Sequence, residues 1–261
     1  MMTIIVPTDF SATANNAARY AAQMLTGQYD MVLVLYHVYD NANEEKDVEG
    51  SLNKLKDELS KIGIVKIETR CEESSDLIGS LDRLARHLDA NLIVMGITGK
   101  TKIEQVFFGS NTLKMVERNA CPVLIVPPAA QFTQVKNVAL TSDFKAVETS
   151  IPFVPIKNVL RLFRPSLHIV NVNSEHYVSL TEEYLSQRTN MLDMFREFNP
   201  EFYFIGTYDV EDTINTFVQD KNIDMLITIP RHRTMITGLV KGSTTKKLVF
   251  ESAIPILAAH E

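Results

Sequence analysis

Gly96, Gly99, Gly109 and Ser110 are spaced as residues that could hold an anion. They follow the apolar run Leu92-Ile93-Val94-Met95, which reads as a buried strand, and precede residues 111–118, which read as a helix. Three of the chain's ten glycines fall within residues 96–110. A glycine loop running from a strand into a helix N-terminus is where an α/β fold binds phosphate. Glycine accepts positive φ and lets an anion approach without a Cβ in the way. Successive backbone N–H groups of such a loop converge on one point, and the helix dipole adds partial positive charge there. Ser110 takes the N-cap position, with a hydroxyl suited to a phosphate oxygen. The alternative reading is an ordinary strand-loop-helix connection whose glycines serve turns.

Two related motifs are excluded by spacing. Gly99-Lys100-Thr101 resembles the end of a P-loop, but Val94 stands where the first glycine is required, and the helix does not begin at the lysine. No G-x-G-x-x-G is present, and the glycine loop follows a late strand, so a dinucleotide fingerprint is also excluded.

A catalytic set is not apparent. There is no H-E-x-x-H, C-x-x-C or G-x-S-x-G, and the six histidines are scattered. His37 reads as a satisfied core histidine rather than a general base. Asp9 can orient a water, but no in-line base or Walker-type lysine is placed for phosphoryl transfer. Lys100 and Lys102 read either as phosphate contacts or as solvated loop lysines. No side chains form an all-protein metal cage.

The elements that must position these residues come in two similar sets. Asp9 and Asp143 are 134 residues apart, and Tyr36-His37-Val38 and Val170-Asn171-Val172 share that offset. Gly109-Ser110 and Gly242-Ser243 are 133 apart, as are Pro122 and Pro255 in the two C-terminal apolar runs. Landmarks recurring in one order over so long a period indicate two whole domains rather than solenoid units. In the first half, strands are expected near 3–6, 31–38, 66–70, 91–95 and 123–126, with helices over 12–26, 52–62 and 77–88. Ser11 is the expected cap of the first helix. In the second half, strands are expected near 137–140, 167–172, 201–205, 225–229 and 255–258. Residues 182–198 read as an amphipathic helix with Leu185, Leu192, Phe195 and Phe198 on one buried face. The acidic stretch 41–49 reads as a solvated loop, and 127–134 as the linker. Strand-helix alternation implies mainly parallel, five-stranded open sheets with helices on both faces, in domains spanning 1–130 and 135–261.

Composition narrows the function further. A formal net charge of -6 argues against nucleic-acid and membrane-surface partners. Two cysteines, Cys71 and Cys121, are too few for a disulfide framework and suit a reducing cytoplasm. Cys121, beside Pro122, reads as a small buried hydrophobe. No apolar run approaches a membrane span, and Met1 to Val6 reads as a first strand rather than a signal peptide.

Together these landmarks resemble the universal stress protein family in its tandem two-domain form. The family pattern is G-x2-G-x9-G-[S/T] after the fourth strand, with an Asp closing the first; Gly96, Gly99, Gly109, Ser110 and Asp9 fit it. The resemblance implies a Rossmann-like fold of the adenine nucleotide alpha hydrolase type, its two domains related by a pseudo-twofold axis. It also implies ATP or AMP bound in the first domain, with or without Mg²⁺. By position, Asp9 would hold the nucleoside, beside Pro7 and Thr8. Val38 would meet adenine through its backbone, and Met95 would line the floor. Gly96, Gly99, Gly109, Ser110 and Asn111 would hold ribose and phosphates.

The second half departs from this pattern. Ile229 and His232 occupy its first two glycine positions, and Arg231 and Arg233 flank the latter. This half is therefore expected to have lost nucleotide binding in the family's manner and to act as a pairing partner; an alternative is that its arginines grip a different anion. The resulting expectation is a cytoplasmic, stress-related regulatory protein with one nucleotide site, acting through a protein partner. Paired edges would form a pseudo-dimer within the chain or a homodimer. The alternatives are a slow ATPase or phosphotransferase, and an interaction scaffold that binds no nucleotide.

Overall fold

In a computed structural model of the chain, residues 1–63, 65–97, 110–173, 181–206, 210–229 and 254–260 are described. Two compact units divide the chain, Met1–Thr133 and Gln134–Glu261. In the first, apolar runs form β1 (Met2–Pro7), β2 (Met31–Tyr39), β3 (Lys66–Glu73), β4 (Leu92–Gly96) and β5 (Val123–Val126). The helices are α1 (Ala12–Leu25), α2 (Glu45–Ser60), α3 (Leu77–His87) and α4 (Ser110–Arg118). The strand order is β3-β2-β1-β4-β5, and every ladder is parallel. Ile4, Ile5, Leu33, Leu35, Ile93 and Val94 are fully or almost fully buried, as expected of central parallel strands covered on both faces.

Ser11 caps α1, its hydroxyl accepting from the Ala14 amide at 3.2 Å. Ala17, Ala18, Ala21 and Ala22 give α1 a thin buried face that lets it lie close to the sheet. The stretch 41–49 is not a loop. A 3₁₀ turn at Ala42–Glu44 leads into α2, which starts at Glu45. Two influences make the difference. Glu45 and Asp47 lie in the first turn, where carboxylates favour a helix N-terminus, and Val48 begins a buried stripe with Leu52, Leu55 and Leu59. Residues 127–134 are more than a tether. Asn16 Nδ2 donates to the carbonyls of Pro127 (3.3 Å) and Ala130 (3.1 Å), and Phe132 meets the Tyr20 ring edge-on.

The second unit contains β6 (Asn137–Thr141), β7 (Ser166–Asn173), β8 (Glu201–Gly206), β9 (Met225–Thr228) and β10 (Ile256–Ala258). Its helices are α5 (Val147–Ser150), α6 (Phe153–Phe163), α7 (Glu182–Phe195) and α8 (Val210–Asp220). Its strand order is β10-β9-β6-β7-β8, again parallel. Where the first unit has the continuous α1, Pro152 separates α5 from α6. The packed stripe of α7 differs from expectation. Leu185 is 46% exposed and Leu192 half-buried, while Met191, Phe195 and Phe198 are buried. Tyr184 sets the stripe by packing on Phe144 and Phe204, so helical spacing brings Met191 and Phe195 inward and turns Leu185 out. Among the described residues, no helix is long and apolar enough to cross a membrane.

Candidate functional site

The chain leaves β1 through a tight turn built from its own side chains. The Thr8 amide donates to the Tyr36 carbonyl at 2.8 Å, extending the β1–β2 ladder by one bond. Thr8 Oγ1 then accepts from the Phe10 amide, and Asp9 Oδ1 from the Ser11 amide, each at 3.0 Å. These short-range bonds hold Phe10 at φ 62°, a left-handed conformation that reverses the chain into α1. Asp9 stays exposed at the apex, with Oδ2 available to a donor.

On the far side of β1, β4 ends at Gly96. A Cβ there would lie 2.7 Å from both the carbonyl oxygen and Cγ2 of Thr13, so only glycine lets the first turn of α1 come this close to β4. Thr112 Oγ1, in α4, donates to the Gly96 carbonyl at 2.9 Å and ties that helix to the strand end.

β2 outlasts β1. Backbone groups two residues apart on a strand point the same way. Because the Tyr36 carbonyl faces β1, the N–H and C=O of Val38 face the same side, beyond the end of β1. They therefore open toward the crevice as an unused donor and acceptor edge.

These features border one cleft of about 300 Å³ at the carboxyl ends of β1, β2 and β4. Small-molecule pockets usually measure about 300–1,000 Å³. In the order β3-β2-β1-β4-β5, the chain runs outward from β1 through β2 to β3 on one side and from β4 to β5 on the other, so the cleft at the ends of β1 and β4 lies at the topological switch point. Seven of the site residues expected from sequence line it: Pro7, Thr8, Asp9, Val38, Met95, Gly96 and Asn111. Ser110 begins α4, while Gly99 and Gly109 lie outside the described residues, as do Lys100, Lys102, Arg231, His232, Arg233, Gly242 and Ser243.

Thr13, Asp40, Ser74, Ser75 and Thr112 also line the cleft and were not expected from sequence. Nothing local marks them; chain-distant packing brings them there. His37 departs from the core reading. It is half-buried at the cleft wall, with Nδ1 2.7 Å from the Thr8 carbonyl and its ring stacked on Phe10 at 4.8 Å. A carbonyl only accepts, so Nδ1 carries the proton.

A polar cluster braces the wall beneath. Tyr36, 1% exposed, donates to Glu72 at 2.8 Å, and Arg83 and Ser80 close on the same carboxylate. Burial pushes Glu72 up, but the bonds from Tyr36 and Arg83 outweigh it and hold the carboxyl below its usual range. Cys121 is half-buried rather than fully buried, and desolvation still raises its thiol to about 12, which leaves it a poor nucleophile. Among the described residues, no group of three or more metal-ligating side chains comes together.

The first unit thus has an open parallel α/β sheet with a glycine-ended strand at its switch point. Its residues 1–127 match the universal stress protein family, and this half of the chain belongs to that family. Universal stress protein MJ0577 of Methanocaldococcus jannaschii is 28% identical over 151 residues, an alignment spanning 47% of this chain and 93% of that protein. Universal stress protein MJ0531 of the same organism is 29% identical over 136 residues, spanning 47% of this chain and 80% of that one. The crystal structure of a universal stress protein from Archaeoglobus fulgidus DSM 4304 matches the fold with a TM-score of 0.74 at 16% identity, covering 99% of this chain and 98% of that one.

Proposed function

We propose that the first unit binds an adenine nucleotide, ATP or AMP, and that the protein is a cytoplasmic stress-response regulator acting through nucleotide-dependent interaction. The observation that carries this reading is the meeting of Asp9, the open backbone edge of Val38 and the Gly96 strand end around one switch-point cleft. Each element suits one part of a nucleotide. The N–H and C=O of Val38 match the donor and acceptor edge of adenine. Asp9 Oδ2 accepts from a ribose hydroxyl. Asn111 and the N-terminal turn of α4 face the phosphates, together with Gly99, Gly109 and Ser110 of the sequence motif. Membership of the first half in the universal stress protein family supports the same assignment. Mg²⁺ would accompany the phosphates through water rather than through a protein cage.

Regulation is preferred over turnover because the sequence supplies a phosphate loop without a recognisable base or nucleophile set. The second unit, with Ile229 at the first glycine position, serves as a pairing partner for the first unit or for a second chain. Thermal unfolding with and without ATP, AMP and Mg²⁺ tests the binding claim. Saturating nucleotide stabilises a binding protein by about 2.7 kcal/mol at 100 times Kd. The stabilisation should appear in the wild type and shrink in Asp9→Ala. A wild type whose unfolding is unmoved by millimolar nucleotide would refute the assignment.

A further inference from the structure

The turn that ends β1 recurs, bond for bond, at the end of β6. In the first unit Thr8 Oγ1 accepts from the Phe10 amide at 3.0 Å, and in the second Ser142 Oγ accepts from the Phe144 amide at 3.1 Å. Asp9 and Asp143 each take the amide two residues on at 3.0 Å. Phe10 stands at φ 62° and Phe144 at φ 56°. The amides of Thr8 and Ser142 both extend the ladder to the next strand, at 2.8 and 3.0 Å.

One partner differs in chemistry but not in geometry. His37 Nδ1 meets the Thr8 carbonyl at 2.7 Å, and Asn171 Nδ2 donates to the Ser142 carbonyl at 2.8 Å. The two positions have little in common except an N–H aimed at that carbonyl. Imidazole Nδ1–H and carboxamide Nδ2–H project from nearly the same distance along the side chain. The carbonyl belongs to the residue just before the apical Asp, so this bond fixes the plane of the Thr8–Asp9 peptide and thereby the direction of the Asp9 side chain. Phe10, which follows, stacks on the imidazole and covers it.

We propose that His37 is a positioning residue for the nucleotide site: its Nδ1–H holds the Thr8 carbonyl and so aims Asp9 into the cleft, a task that Asn171 performs for Asp143. The proposal rests on the nucleotide reading of the cleft for its binding consequence, but its structural half stands apart from any ligand. It assigns the imidazole no acid-base chemistry and no direct ligand contact.

The test compares His37→Asn, which imports the second unit's solution, with His37→Val, which keeps a side chain but removes the donor. Two readouts are taken on the full chain: ATP affinity by calorimetry, and hydrogen exchange at the Phe10 and Ser11 amides without ligand. Losing the bond in His37→Val should weaken ATP binding about tenfold and speed exchange at both amides by a similar factor. His37→Asn should recover most of both. Asn171→Val should speed exchange at Phe144 and Lys145 and leave ATP affinity alone. If His37→Asn loses affinity as fully as His37→Val while its amides stay protected, the ring itself contacts ligand and the positioning role is wrong. Unchanged exchange in His37→Val overturns the proposal as well. Should the wild type bind no nucleotide, the functional reading fails, and amide exchange alone decides whether His37 holds the turn.

Discussion

The space that a side chain at Gly96 would fill is taken by Thr13: a Cβ there would sit 2.7 Å from the Thr13 carbonyl oxygen, in the first turn of α1. The contact spans 83 residues and sets how closely the first turn of α1 lies against the end of β4. A backbone oxygen cannot swing aside as a flexible side chain can. Gly96→Ala should therefore push α1 outward, costing about 1–3 kcal/mol of stability and weakening nucleotide binding. Urea unfolding alongside ATP titration checks both effects; an alanine variant as stable as the wild type would show that α1 yields freely.

Thr112 offers a narrower probe of the same strand end. The residue is 2% exposed, and its hydroxyl donates to the Gly96 carbonyl. Thr112→Val keeps the shape and deletes the donor, with an expected cost of about 1–2 kcal/mol in chemical denaturation. A larger loss of ATP affinity than of stability would indicate that the bond holds α4 in its phosphate-facing position.

His168 makes the second unit acid-sensitive. The residue is 7% exposed on β7, among Tyr203 and Phe217, with Glu201 3.8 Å from Nδ1 and Lys221 above the Tyr203 ring. Burial lowers its pKa below 6.5, Glu201 partly opposing and Lys221 adding to the shift. The sign follows directly. The unfolded chain takes up the proton near pH 6.5 while the folded unit stays neutral to lower pH, so stability falls as pH drops below about 6.5. Val34 occupies the matching register position in the first unit and is 1% exposed. His168→Val should flatten the dependence of the thermal midpoint between pH 6.5 and 5; an unchanged slope would place the sensitivity elsewhere.

Cys121 should be inert. With burial raising its thiol to about 12, alkylation by iodoacetamide at pH 8 should be slow in the native protein and rapid in urea. Fast native labelling, located by mass spectrometry, would contradict the packing role.

The strand runs of both units were readable from apolar periodicity, since buried parallel strands such as Leu92–Met95 carry an uninterrupted signal. So was the place of Asp9 at the turn from β1 into α1, since it stands between an apolar run and the Ser11 cap. The helical character of 45–49 was hidden by its charge; only Val48, one residue in that acidic stretch, announced the buried stripe. The orientation of α7 was set by Tyr184 meeting Phe144 and Phe204, contacts between segments far apart in the chain. Thr13 and Thr112 escaped notice for the same reason. Each is an unremarkable threonine until folding brings it to Gly96. His37 was read as satisfied, but its partner, the Thr8 carbonyl, lies in the turn after β1, and only the fold brings the two together.

The most direct test of the nucleotide assignment is calorimetric titration of ATP and AMP, with Mg²⁺, into the wild type and the Gly99→Val/Gly109→Val variant. One site in the first unit predicts about one equivalent bound per chain, with binding lost in the variant because two Cβ branches would fill the phosphate approach. Two equivalents, or binding that survives in the variant, would contradict a single site built on this loop. No binding in the wild type would contradict the nucleotide assignment itself and leave a scaffold that works without ligand.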